Sequence, residues 1–88
     1  MLNFIETFHR EVAKRLDAVD SAGEAAGLME WANGRVGKCD VYFLWFPATK
    51  RLVYAVKCPA GLREGEVEAK SHVEAVAHVE KIIASLRK

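Results

Sequence analysis

The sequence predicts a small α+β domain of the order α-α-β-β-α, in which helices pack a central antiparallel β-hairpin. Three observations lead there. Residues 39–46 read CDVYFLWF, apolar or aromatic throughout from Val41 to Phe46, a run too short for an ordinary helix and rich in residues that favour strands. A second β-rich run, RLVYAV at 51–56, follows across PATK at 47–50, and Pro47 ends the first strand because it has no N–H to give a central ladder. Both ends of the chain, by contrast, repeat apolar residues at helical spacing.

The first helix is expected near the amino terminus. Asn3 stands three residues before Glu6, the spacing of a capping box, and Ile5, Phe8, Val12, Leu16 and Val19 then fall on one stripe. Glu6–Arg10 and Glu11–Arg15 add i,i+4 ion pairs with the acid on the favourable side. Ser21 and Glu24 repeat the capping-box spacing, and the alanine-rich run behind them stops at Asn33-Gly34. A second, shorter helix is therefore expected over 22–33, docked through Ala25, Leu28, Met29 and Ala32, although Gly23 and Gly27 each weaken it by ~1 kcal/mol. Beyond the hairpin the chain turns from Cys58-Pro59 to Gly61, and residues 62–86 read as the longest helix. Ala69, Val73, Val76, Val79, Ile83 and Leu86 make its apolar side, widened by Ala75 and Ile82.

If Pro47 and Lys50 flank the hairpin turn, opposite residues have numbers summing to 97. One face then carries the pairs Trp45–Leu52, Phe43–Tyr54, Val41–Val56 and Cys39–Cys58 and is the core side. The other carries Phe46–Arg51, Leu44–Val53, Tyr42–Ala55 and Asp40–Lys57. This second face has an apolar centre with charge at its ends, the composition of an interface; its competing fate is to be wrapped by the chain's own helices. A two-stranded sheet also leaves two free edges that favour pairing with another copy.

Eighty-eight residues read as a single domain, 1–88, with about half the residues apolar. So small a domain gains much from docking a second copy, so self-association is expected. Thirteen Lys and Arg against twelve Asp and Glu give a formal charge of +1, without the basic excess that drives general nucleic-acid binding. The amino-terminal stretch mixes acids and bases into its apolar pattern, unlike a signal peptide, and no window offers the ~20 apolar residues of a membrane span. The expected setting is the cytoplasm, where Cys39 and Cys58 would be thiols.

Chemistry is sparse in the sequence. There is no C-x-x-C pair, no Cys/His cluster at metal-binding spacing, no nucleophile elbow and no phosphate-binding glycine pattern. His72 lies within the apolar band of the last helical segment and His78 on its polar border, while His9 flanks the first stripe; a lone helical histidine reads as a hydrogen-bonded packing residue. The pair Cys39/Cys58, facing across the hairpin, is either incidental packing or a redox pair.

The stretch CDVYFLWFPATKRLVYAVKCP, about a quarter of the chain, resembles the hairpin of the PD-(D/E)xK nuclease superfamily. In that hairpin an acid opens one strand and an acid-x-lysine closes the next. The resemblance would match Asp40 to the first acid, Lys57 to the lysine and Glu11 to the helical acid. Ala55 stands where the family carries its second carboxylate, so the resemblance implies a catalytically silent, nuclease-like binding module.

The function expected from the sequence is a non-enzymatic protein-interaction module, an adaptor or inhibitor that occupies a partner's surface, homodimeric through Tyr42, Leu44, Phe46 and Val53. No cofactor, metal or membrane enters this reading. The alternative is a nucleic-acid-binding or nuclease-like protein contacting its ligand through Lys50, Arg51 and Lys57.

Overall fold

The computed structural model describes residues 7–87. The chain runs α1 (Phe8–Ala13), β1 (Ala18–Ala25), β2 (Met29–Val36), β3 (Cys39–Phe46), β4 (Arg51–Cys58), β5 (Gly61–Glu68) and α2 (His72–Leu86). The strands form an antiparallel meander in the order β1-β2-β3-β4-β5. Both helices contribute to one core with the same face of that sheet. The class is α+β as expected, but the element order is not.

The expected helix over 22–33 is instead the β1–β2 hairpin, paired from Ala18↔Arg35 to Ala25↔Met29. Ala26 and Gly27 adopt left-handed backbone at φ 40° and 77°, which no helix interior allows, and Leu28 N–H closes the turn on Ala25 C=O at 2.7 Å. Alanine's helix propensity yields here to ladder pairing with β3. Small residues on β2 also admit close backbone approach: a side chain at Gly34 would collide with the Ala18 carbonyl where β1 shifts register between Val19 and Ser21.

The long helix expected over 62–86 divides into β5 and the fifteen-residue α2. Its start is chemically marked. Ser71 Oγ accepts from Glu74 N–H at 3.2 Å, and Glu74 Oε1 accepts from Lys70 N–H at 2.9 Å, a reciprocal cap of the capping-box kind. The first helix is also shorter than its stripe: α1 has six residues, and Val19 lies on β1. Asn3, Ile5 and the Glu6–Arg10 pair lie outside the described residues. The Glu11–Arg15 pair forms at 3.1 Å.

At the centre the hairpin register is the expected one, from Asp40↔Lys57 through Tyr42↔Ala55 and Leu44↔Val53 to Phe46↔Arg51. Val41, Phe43, Leu52 and Val56 are fully buried beneath Phe8 and Val12 of α1 and Ala75 and Val79 of α2. Each such aliphatic or aromatic side chain contributes about 1.5–3 kcal/mol by leaving water. Trp45 packs against Phe8 with ring centroids 5.9 Å apart, and its indole N–H donates to Ala69 C=O at 3.1 Å, so its one polar atom is satisfied.

Cys39 and Cys58 face each other with Cα atoms 4.2 Å apart, and their sulfurs are joined. The expected pair of thiols is thus a disulfide, because the register brings both side chains onto the core face at cross-strand distance. Closing a loop with a sequence separation of 19 stabilises a fold by about 3 kcal/mol in the chain-entropy account.

Candidate functional site

Strand pleating sends alternate residues of β3 to opposite sides, and the two sides fare differently. Cys39, Val41, Phe43 and Trp45 are buried, whereas Tyr42 is 41% exposed and Leu44 and Phe46 are half-buried. The helices therefore cover one side, and the fate in which the chain wraps its own second face does not occur among the described residues. Tyr42, Leu44, Phe46 and Val53 do share that open face, as expected from the register.

The open face is wider than the sequence indicated. Pairing of β2 with β3 sets Trp31 beside Leu44, and β3 with β4 sets Leu44 beside Val53, so Trp31, Leu44 and Val53 form one row across three strands. The Trp31 indole lies across Gly23 of β1 and donates its N–H to Ser21 Oγ at 2.9 Å. Tyr42 with Ala55 makes the next row, and Met29 and Phe46 border the first. Trp31 and Met29 escape sequence reasoning because their segment reads as a helix. The useful signal was the pairing of a lone Trp with small neighbours on a strand-length stretch.

Charge frames this apolar centre. Along β5, Glu64, Glu66 and Glu68 pair with Ala55, Val53 and Arg51 and so stand on the open side. Arg51 reaches Glu66 at 3.3 Å, and Arg35 reaches Asp40 at 3.5 Å. Asp40 and Lys57 are opposite in register as expected, but the Asp40 carboxylate pairs with Arg35 of β2. Lys50 ends the β3–β4 turn at φ 58°. Arg51 thus pairs with an acid and Lys57 stands opposite one, so the two do not extend Lys50 into a continuous cationic stripe.

The nuclease-like set is only partly assembled. Asp40, Ala55 and Lys57 share the open face, but Glu11 lies in the helical layer on the other side, bound to Lys14 at 3.5 Å and Arg15 at 3.1 Å. Hydrogen bonding from Arg15 holds the Glu11 carboxyl below its ordinary pKa. Glu11 is therefore not the helical acid of that arrangement, because the sheet separates it from Asp40.

The sheet edges are blunted. β1 carries a register shift at Asp20, and β5 is dense in acids, both features that discourage strand addition. The expectation of two free edges on a two-stranded sheet is replaced by a five-stranded sheet whose apolar surface is on its face.

Histidines take positions that the stripe did not reveal. His72 opens α2 and packs near Trp45, ring centroids 6.4 Å apart, and its buried Nε2 has no protein partner. His9 in α1 sets Nδ1 2.8 Å from Glu30 Oε1, and the same oxygen accepts His9 backbone N–H at 3.0 Å. Thr7, the residue capping α1, makes no side-chain cap bond, so Glu30 of β2 supplies the acceptor from across the fold. Glu24 sits directly opposite Glu30, which completes a group of three metal-competent side chains that no local spacing announces.

No family model, curated protein or solved structure matches this chain.

Proposed function

We propose that this protein is a non-enzymatic interaction module, an adaptor or inhibitor that acts by contact, and that its working form is a homodimer joined through the open face of the sheet. The observation that carries the reading is the apolar row Trp31, Leu44 and Val53, with Tyr42 and Phe46 beside it, on the side that neither helix covers.

A second copy suits this face in size. Five strands at ~4.8 Å spacing and eight residues at ~3.4 Å give a footprint of about 24 by 27 Å, so a facing pair buries on the order of 1,300 Å², within the ~1,200–2,000 Å² of stable interfaces. Charge selects the orientation. A two-fold axis along the strands lays β3 over β3 and β5 over β1 of the partner, placing Glu64, Glu66 and Glu68 above the small residues Ser21, Gly23 and Ala25. An axis across the strands would stack the acid row on itself, which like-charge repulsion disfavours. In the favoured pairing Leu44 meets its own copy and Trp31 faces Val53.

Size-exclusion chromatography with light scattering, run from low to high micromolar concentration, tests the reading. The wild type should pass from monomer to dimer, and Leu44→Glu should stay folded and monomeric because a buried unpaired carboxylate is costly. A wild type that remains monomeric at high micromolar concentration overturns the homodimer.

A further inference from the structure

His9, Glu24 and Glu30 come from α1, β1 and β2, and one ligand atom from each lies within 4.8 Å of the other two. From this convergence we infer a binding site for a borderline divalent transition metal, with Zn²⁺ as the probe, that fastens α1 to the β1–β2 hairpin.

The electrostatics ask for a cation. Glu24 and Glu30 are direct cross-strand partners, an arrangement in which two carboxylates repel. The side chains of His9 and Glu30 are only 15% and 13% exposed, while Glu24 stands at the surface, so an ion held there would have a sheltered inner side and an open outer one. His9 Nδ1 and Glu30 Oε1, hydrogen-bonded at 2.8 Å, need to part by only about 0.5–0.8 Å to reach the ~3.3–3.6 Å that two ligands keep around a tetrahedral ion with metal–ligand bonds of about 2.0–2.2 Å.

The donor set selects the metal class. One imidazole with two carboxylates favours Zn²⁺, Co²⁺, Ni²⁺ or Mn²⁺, whereas Ca²⁺ and Mg²⁺ take oxygen alone. Glu24 is exposed, which gives the ion a route in and leaves water to complete its shell. Glu30 is held in place by the His9 backbone N–H at 3.0 Å, the kind of outer hydrogen bond that orients a ligating carboxylate. The site lies on the helix-bearing side of the sheet, since Glu30 pairs with the core residue Trp45, and so does not depend on the proposed dimer face.

Isothermal titration of tag-free protein with Zn²⁺, its disulfide kept oxidised, should give one ion per chain, and Co²⁺ should give the visible absorption of a bound, low-symmetry ion. Glu24→Gln, an exposed change that leaves the fold intact, should weaken binding by about tenfold or more, and His9→Ala by about a hundredfold. Leu44→Glu should bind Zn²⁺ as the wild type does, which separates this site from the dimer. Absence of binding at millimolar Zn²⁺, or binding unchanged in both Glu24→Gln and His9→Ala, overturns the site.

Discussion

Neighbouring residues of β3 present one face of the sheet to the helices and the other to solvent, with similar side chains on both. Phe43 and Val41 are sealed in the core, while Leu44 and Tyr42, one residue away, are left half-buried or open. If the sheet needed only a core, the outward positions of its central strand would carry the polar residues that alternation normally places there. The polar residues are instead moved to the margins, on β5 and at the ends of β3 and β4. The difference teaches that apolar composition on the open side is not required by the monomer's own packing, and the dimer proposal gives it a use.

The largest test of that contrast sets Phe43→Ala against Leu44→Glu. Phe43 is fully buried, so its truncation should cost about 3–5 kcal/mol through lost burial and a cavity, read as a lower denaturant midpoint. Leu44→Glu should move the midpoint far less at protein concentrations where the wild type is monomeric, and should abolish concentration dependence. If Leu44→Glu unfolds the isolated monomer as severely as Phe43→Ala, the two faces are equally structural and the contrast breaks.

The disulfide closes the bottom of the covered face only. Cys39→Ser with Cys58→Ser should lower stability by about 2–4 kcal/mol, visible in thermal unfolding under oxidising conditions, while leaving a cooperative fold because Val41, Phe43 and Val56 still pack. The same double variant should dimerise as the wild type does. Loss of cooperative unfolding in it would show that the hairpin's core side is held by the covalent bond more than by burial.

Much of this contrast was legible. The long aromatic and β-branched runs fix β3 and β4, and a period of two leaves one register that sends Phe43 inward and Leu44 outward. The flanking strands were not legible, for a physical reason. On the core side β2 offers Ala32 and Gly34, and β1 offers Ala22, with the Ala18 backbone leaving no room for a side chain at Gly34; small residues erase the alternation and imitate a helix. In β5 the Glu64, Glu66, Glu68 alternation signals a strand, and Ser71 with Glu74 marks where α2 begins, yet Ala69 fits the apolar band of the helix and draws the helical reading back past that start. The group of His9, Glu24 and Glu30 was out of reach, since it forms only when residues 21 apart meet through a hairpin that reads as a helix.

The smallest expected effect concerns what keeps the helical layer on its face. Asp17, in the connection from α1 to β1, accepts from Arg87 at 2.9 Å near the end of α2 and from Gly37 N–H at 2.6 Å in the β2–β3 turn. The hydrogen bond from Arg87, followed by that from Gly37, holds the Asp17 carboxyl below its ordinary pKa. A depressed folded-state pKa means the native chain binds fewer protons than the unfolded chain, so this stability is present above the unfolded value of about 3.9 and is lost as pH falls through the lower folded value. Asp17 is at the surface, where an ion pair is worth little, so the effect should be small and salt-sensitive. Thermal midpoints of wild type and Asp17→Asn should differ slightly at pH 6 and converge as pH drops below about 4. A gap that widens toward acid would mean that Asp17 gains no protection from Arg87, and the helical layer would then be held on its face without help from this ion pair.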